Sequence, residues 1–252
     1  MRWMKTLALA MLVASPLAAQ TVDEILDKHF AALGGKDKIA AVQSAKIHAK
    51  QVFGPQEVPA TISWKRPSKI RMEFTLQGLT GVQAYDGTNA WMVMPFLGKN
   101  DPEAMTGDDL KDIIDQADMI EGPLFNYKEK GNTVELLGKE AIEGTDAWKL
   151  KLTQKNGDVS TIWLDADAYL QIKSEGKRKR GDQEMEFEQS YGDYKEVGGI
   201  LFAHSIESKP KGAPQGATIT LESIELGVDL PDSLFVMPPK PEAPKPASGA
   251  QG

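Results

Sequence analysis

The chain has no cysteine among its 252 residues. No disulfide framework can therefore stabilise it, and its stability must come from a packed core. A bacterial lipoprotein carries a cysteine directly after its signal peptide, where the lipid is attached. The same absence therefore predicts that this protein is not anchored to a membrane in that way.

Basic residues are also fewer than acidic residues, 29 against 36. The formal net charge is -7 and histidine occurs only three times. A protein that binds nucleic acid needs a basic face for the phosphates, so this balance argues against nucleic acid as a partner. The basic stretch GKRKRGD at 176–182 lies between two alternating segments and indicates the solvated end of a hairpin rather than a membrane or partner patch.

Long apolar runs are absent except at the start, where MRWMK precedes TLALAMLVASPLA. A charged beginning, a short apolar stretch and small residues at Ala18 and Ala19 are typical of a secretory signal peptide. The run is too short to cross a bilayer of ~30 Å. We expect a signal peptide over 1–19, cleavage near Ala19 and a protein free in the periplasm or secreted.

The final stretch, 238–252, is rich in proline, lysine, alanine and glycine and has almost no large apolar side chain. Such a segment buries too little surface to offset the entropy of ordering, which predicts a disordered tail. The folded part is then one domain over 20–237.

Alternation of apolar and polar residues dominates that domain. In AKIHAKQVF, for example, Ala45, Ile47 and Ala49 share one face, while lysines and His48 share the other. Asp86-Gly87 and Asn156-Gly157 are strong hairpin signals because both pairs tolerate positive φ angles. The sequence predicts about eleven antiparallel strands in a meander that curls into a barrel or half-barrel.

Two segments have helical periodicity. VDEILDKHFAALGG (22–35) carries an apolar stripe and ends in two glycines, and GDDLKDIIDQADMIEG (107–122) places Leu110, Ile113 and Ile114 opposite a row of aspartates. Both are predicted to be amphipathic covers for an apolar surface.

Some strands are apolar on both sides, such as AWMVMPFLG at 90–98 and TIWL at 161–164. One explanation is ordinary core on one side and helix packing on the other. The other is an apolar cavity inside the curled sheet, lined by adaptable methionines.

The stretch SWKRPSKIRMEF (63–74), followed by AYDGTNAWMVMPF, resembles the LolA family of periplasmic lipoprotein carriers in the order and spacing of its motifs. The N-terminal helix, the acidic helix and the closing ITLESIELGVDLPDSLFVMP are also similar to that family. The sequence departs from the carriers in its length, with extra residues at 121–131 and a proline-rich tail, which leaves the cargo open.

The resemblance implies a mainly β fold with some α-helix: a single curved antiparallel sheet forming an unclosed barrel with a helical lid. Arg66 matches the arginine that holds the lid shut in the carriers, and the apolar strand and helix residues nearby are predicted to line a hydrophobic cavity. The predicted lining residues are Trp64, Ile70, Met72, Phe74, Trp91, Met92, Met94, Ile113, Ile114 and Trp163.

The function implied is a periplasmic carrier that shields acyl chains of a lipoprotein, or a related amphipathic lipid, on the way to the outer membrane. It would act as a monomer, without cofactor or metal, between an inner-membrane donor and an outer-membrane acceptor. An envelope sensor, or a protein-binding module in which the acidic helix docks on a basic partner, remains the alternative.

Catalysis has little support in the sequence. His29, His48 and His204 belong to no HExxH or G-x-S-x-G arrangement, and His29 and His48 are interpreted as surface residues. Asp165-Ala166-Asp167 could hold a cation but favours a turn. We therefore expect a protein that is not an enzyme.

Overall fold

The computed structural model describes residues 20–180 and 183–240. The predicted signal peptide at 1–19 lies outside these residues, as does the predicted tail from residue 241 onward. Residues 181 and 182, in the basic stretch, also fall outside them. No helix within the described ranges has the length and apolar character that a membrane span requires.

The described residues form three α-helices, two short 3-10 helices at Pro95–Leu97 and Asp232–Leu234, and thirteen strands. The helices are α1 (Val22–Ala32), α2 (Lys36–Ala41) and α3 (Gly107–Ala117). The strands are β1 (Ser44–Phe53), β2 (Gln56–Lys65), β3 (Lys69–Leu76), β4 (Leu79–Tyr85), β5 (Ala90–Met94), β6 (Lys99–Ala104), β7 (Thr133–Ile142), β8 (Thr145–Thr153), β9 (Val159–Asp165), β10 (Gln171–Arg180), β11 (Gln183–Val197), β12 (Ile200–Pro210) and β13 (Ala217–Leu226).

All thirteen strands belong to one curved, unclosed antiparallel sheet with the order β6-β5-β4-β3-β2-β1-β13-β12-β11-β10-β9-β8-β7. Neighbours in the sheet are neighbours in the chain except at one place, where β1 pairs with β13. The two edge strands are β6 and β7, and the chain passes from one edge to the other through α3. This topology confirms the predicted fold.

The strand count is thirteen where the sequence predicted about eleven. One strand missed entirely is β6, whose sequence KNDPEA has no apolar alternation and contains Pro102. Proline cannot donate a ladder hydrogen bond and is tolerated at a sheet edge, which is where β6 lies. The predicted turns at Asp86-Gly87 and Asn156-Gly157 connect β4 to β5 and β8 to β9.

The helices cover one face of the sheet, which we call the inner face. Trp64, Ile70, Leu150 and Leu164 from the strands pack there in one core with α1, α2 and α3. Helix α1 begins with a capping box in which Thr21 and Glu24 satisfy each other's backbone N–H groups. It ends at Ala32, and the chain starts a second short helix, α2, after Gly34 and Gly35.

The opposite, outer face of β1 to β5 is covered by residues 228–235, which we call the strap. Ser44 Oγ donates to the carbonyl of Val228 at 2.6 Å, and Trp91 Nε1 donates to that of Phe235 at 2.8 Å. Between these ends, Lys65 and Lys69 both bind the Asp232 carboxylate, and their hydrogen bonds lower its pKa to about 2. Phe235, the last residue of the strap, is fully buried.

Candidate ligand-binding cavity

A cavity of about 960 Å³ lies on the inner face, between strands β8 to β12 and a cover that we call the lid. The lid consists of α3 and residues 118–131, which follow it. The segment that contains α3 joins the two free edges of the open sheet, and it does so across the inner face. The cavity is the space left between this crossing and the strands.

One part of the cavity wall is apolar. The residues that border the cavity there include Phe30 of α1, Leu33 directly after α1, Leu152 of β8, Ile162 of β9 and Phe202 of β12. Phe30 also packs edge-to-face on Phe125 of the lid, with ring centroids 5.4 Å apart. This part of the wall can shield hydrocarbon from water.

Phe187 of β11 borders the cavity as well. It sits against Gly176 of β10, its partner across the strands. A Cβ atom on Gly176 would lie 2.7 Å from the Phe187 ring. The glycine therefore gives the ring room to lie back against the sheet, which keeps it from filling the cavity.

A row of uncharged polar side chains borders the cavity on β10 and β11. The Tyr191 hydroxyl donates to Gln189 Oε1 at 2.8 Å and lies 3.2 Å from Ser174 Oγ. Tyr194 donates to the carbonyl of Gln171 at 2.7 Å. Burial raises the pKa of both tyrosines, so both hydroxyls are protonated donors at neutral pH. We call Gln171, Ser174, Gln189, Tyr191 and Tyr194 the polar row.

Arg66 connects the lid to the region around α2. Its Nε donates to the carbonyl of Val42 at 2.9 Å, and a terminal nitrogen forms an ion pair with Glu121 of the lid at 2.7 Å. A longer contact of 3.4 Å reaches the carbonyl of Ile39. The planar guanidinium has donors in several directions, which allows one side chain to hold both segments.

Further ion pairs involve the lid, among them Lys128 with Asp23 of α1 at 2.7 Å. Lys130 binds Asp118 at 2.6 Å within the lid itself, and Lys111 of α3 binds Asp158 in the β8–β9 turn at 2.6 Å. Burial raises the pKa of Asp118, although the Lys130 ammonium beside it acts in the opposite direction. The lid is thus tied both to α2 and to the strands that border the cavity.

His29 borders the cavity and is buried, with 5% of its surface exposed, so its interpretation as a surface histidine is wrong. Its Nδ1 lies 2.7 Å from the carbonyl of Tyr169, and since a carbonyl only accepts, Nδ1 carries the proton. Burial lowers the pKa of His29. The apolar stripe of α1 contained the signal, because His29 follows Ile25 by four residues and Leu26 by three.

The residues predicted to line a cavity lie mainly in another part of the sheet. Trp64 and Ile70 lie on the inner face of the sheet and Ile113 lies on α3. All three are packed in the core. Trp64 Nε1 donates to the carbonyl of Ala117 at 2.7 Å, at the end of α3. Helix α3 fills this region, so these side chains do not border the cavity.

The methionines and Phe74 lie near the same filled region. Met72 and Met92 are partly buried against the core, and Met94 is buried with 5% exposed. Phe74 packs on Phe96 with ring centroids 5.8 Å apart. The cavity is bordered by none of these four side chains.

Trp91 and Trp163 lie on the outer face, away from the cavity. Trp91 faces the strap, as its hydrogen bond to Phe235 shows. Trp163 donates to Glu140, and its ring lies between the ammonium groups of Lys149 and Lys173, 5.3 and 5.4 Å from the ring centroid. The second apolar face of β5 is thus covered by the strap and that of β9 by lysine side chains, while Ile162 on the inner face of β9 borders the cavity.

Ile114 is the predicted lining residue that does border the cavity. The polar row was missed by the sequence reasoning. Its signal was in EMEFEQSYGDY, where Phe187, Gln189 and Tyr191 share one face of β11 and mix apolar with uncharged polar side chains. Such a face is neither a plain core face nor a solvated one.

Other polar groups singled out in the sequence have structural partners. Asp165 Oδ1 accepts hydrogen bonds from the backbone N–H groups of Asp167 and Ala168, which is the predicted turn. His48 lies 3.2 Å from Thr61 Oγ1, and His204 is buried with Nδ1 2.7 Å from the carbonyl of Leu221. Within residues 20–180 and 183–240, no three His, Asp or Glu side chains are grouped as metal ligands would be.

Solved structures share this fold. A LolA superfamily protein from Nitrosomonas europaea matches with a TM-score of 0.58 and 14% identity, over 86% of this chain and 98% of that one. An outer membrane lipoprotein-sorting protein domain from Vibrio parahaemolyticus matches with a TM-score of 0.56 and 15% identity, over 84% of this chain and 94% of that one. The chain therefore has a LolA-like fold, as its motifs had indicated.

A DUF1329 family protein from Desulfovibrio piger also matches, with a TM-score of 0.55 and 14% identity, over 82% of this chain and 95% of that one. Residues 61–237 match a family model described as "Uncharacterized protein", and the chain belongs to that family. No protein in the curated set matches the sequence.

Proposed function

We propose that this protein is a carrier that holds the apolar part of an amphipathic lipid in the cavity beneath the lid. The observation that supports this most directly is the cavity itself, a space of about 960 Å³ that α3 covers but does not fill. Small-molecule sites are commonly ~300–1,000 Å³. The space is therefore large enough for an acyl chain.

The energetics suit a carrier. Each methylene group kept out of water contributes ~0.8 kcal/mol, so an acyl chain held under the lid is strongly favoured over the same chain in water. Release then requires that the lid open at modest cost. Contacts such as those of Arg66 with Glu121 and of Lys111 with Asp158 are each worth roughly 0.5–3 kcal/mol, which is a suitable bias between closed and open states.

Arg66 is the proposed latch of the lid. It joins Glu121, in the lid segment that follows α3, to the backbone at the end of α2, so opening the lid breaks its ion pair. The cation also lies 5.6 Å from the Trp64 ring, which holds the guanidinium against the sheet. The latch thus connects the lid to the part of the inner face that is already packed.

The cargo and the compartment are part of the same proposal. The sequence begins with a pattern typical of secretory signal peptides, and one similar structure is described as a lipoprotein-sorting protein domain. We infer that the protein works in the periplasm, where it carries an acylated lipoprotein or a related lipid from an inner-membrane donor towards an outer-membrane acceptor.

The test is uptake of the uncharged fluorescent probe N-phenyl-1-naphthylamine, with one variant that blocks the cavity. Ser160 borders the cavity from β9, whereas the next residue, Thr161, pairs with Lys151 and Glu175 on the outer face. Ser160→Trp places an indole in the cavity, and Thr161→Trp adds the same group on the other side of the same strand.

We expect saturable probe binding by the wild type and by Thr161→Trp, and at least about a tenfold loss of affinity in Ser160→Trp, equivalent to ~1.4 kcal/mol. Circular dichroism and urea titration would show that both variants remain folded. Absence of binding by the wild type, or equal binding by all three proteins, would overturn the proposal in favour of a protein-binding or sensor role.

A further inference from the structure

We infer that the ligand carries an uncharged hydrogen-bonding group, such as an acyl ester or amide, and that the polar row of β10 and β11 binds it. This inference rests on the proposed function and adds the chemical class of the ligand. The polar row lies on β10 and β11, whereas the motifs that resemble the carrier family lie on β2 to β5.

The polar row is built into the cavity rather than exposed on a rim. Ser174 is buried, with 7% of its surface exposed, and lies between Ile162 and Gln189 across the strands. Tyr191 is held by Ser174 on one side and by Gln189 on the other. A cavity for hydrocarbon alone would gain nothing from these groups, because removing polar groups from water without a partner costs free energy.

The row retains unused hydrogen-bonding capacity. Gln189 accepts from Tyr191 through Oε1, and within the described parts of the chain its amide nitrogen donates to no partner. An amide nitrogen has two donor hydrogens, and a hydroxyl such as that of Ser174 can both donate and accept. An ester or amide carbonyl accepts hydrogen bonds from such donors, and a ligand hydroxyl can also donate a hydrogen bond to the Ser174 hydroxyl.

Charge distinguishes this row from the rest of the cavity. All five members are uncharged at neutral pH, since burial raises the pKa of both Tyr191 and Tyr194. Charged side chains that border the cavity include several that are paired: Lys130, Asp118 and Asp158 at the lid and its rim, and Lys177 of β10 with Glu184 and Glu186. An anionic head placed on the row would find Lys177 of β10 already paired with two glutamates and would keep an unfavourable cost of desolvation.

The experiment is displacement of N-phenyl-1-naphthylamine by two competitors with the same acyl chain, 1-monolauroylglycerol and laurate. The wild type should bind the uncharged ester more tightly than the carboxylate. Tyr191→Phe and Gln189→Met each remove one polar group from the row at nearly constant size. Tyr85→Phe is the matched control, because its hydroxyl donates to the carbonyl of Gly87 in the β4–β5 turn and Tyr85 does not border the cavity.

Each row variant should raise the Kd of 1-monolauroylglycerol about 3- to 10-fold and leave the Kd values of laurate and of the probe unchanged. Tyr85→Phe should change none of the three. Laurate binding as tightly as the ester, as a carboxylate held by Lys155 at the rim would produce, overturns the inference. So do row variants that bind the ester normally. The probe would still bind in both cases, which separates this failure from failure of the carrier proposal.

Discussion

The lid packs closely on one region of the inner face of the sheet and leaves a cavity over another region. Over β2 to β5 the helix α3 packs directly on the strands, and Trp64, Ile70 and Ile113 are almost fully buried. Over β9 to β12 the same cover stands away from the strands and leaves the cavity. An apolar strand sequence therefore predicts that the strand is buried, but it does not predict a cavity. A cavity forms only where the segment that covers the strand does not pack against it.

The composition of the two regions follows the same division. The filled region is apolar, and its buried indole N–H group is satisfied by the end of α3. The open region mixes Phe187 and Ile162 with Gln189 and Tyr191. Polar side chains are stable there because they bond to one another and border a space that water or a ligand can enter.

Deletion of a large side chain gives the largest expected contrast between the regions. Trp64→Ala should lower the free energy of unfolding by about 3–5 kcal/mol, because it leaves a hole in a packed core. Phe202→Ala, at the border of the cavity, should cost only about 1–2 kcal/mol, because Phe202 is only partly buried. Urea unfolding of both variants measures the difference. Equal losses would mean that the open region is packed as tightly as the filled one.

Removal of the latch tests the boundary between the regions. Arg66→Leu should cost about 1–3 kcal/mol, because the carboxylate of Glu121 loses a charged partner in a half-buried position. We expect faster amide hydrogen exchange at 118–123, with partial recovery in Arg66→Lys. The control Lys50→Leu removes an exposed ion pair with Glu57 and should change little. Unchanged exchange in the lid of Arg66→Leu would contradict the latch.

The smallest expected effect is a dependence on pH. Burial lowers the pKa of His29 in the folded state, so the unfolded chain binds its proton first as the pH falls. The stability that neutral His29 contributes is fully present above its unfolded pKa of about 6.5 and is lost as the pH falls below that value. Between about pH 7 and pH 5, wild-type stability should fall more than that of His29→Asn. His48→Asn should behave as the wild type, and an identical fall in all three would refute the assignment.

Much of the fold was predictable because its signals are local. Alternation located most strands, the Asp-Gly and Asn-Gly pairs located two turns, and the acidic stripe located α3. The site was less predictable. Trp91, Met92 and Trp163 have similar apolar neighbours in the sequence. Whether the strap or a helix covers each side chain depends on contacts between segments that are distant in the chain. The polar row was not predicted because Gln189 and Tyr191 on one strand carry no signal by themselves. They form a group only once the fold places Ser174 beside Tyr191.

The pairing of β1 with β13 has a consequence for how the molecule is made. The middle of the sheet joins the first and last strands of the described chain, with Ala45 opposite Leu226. During synthesis or export, β1 emerges long before its partner, so hairpins on either side can form early while the two halves stay separate. Until residue 226 is free, β1 and β12 present unpaired backbone edges, which are prone to aggregation. The two halves of the sheet can therefore join only after β13 is available, and the strap, which follows β13 in the chain, can cover β1 to β5 only after that.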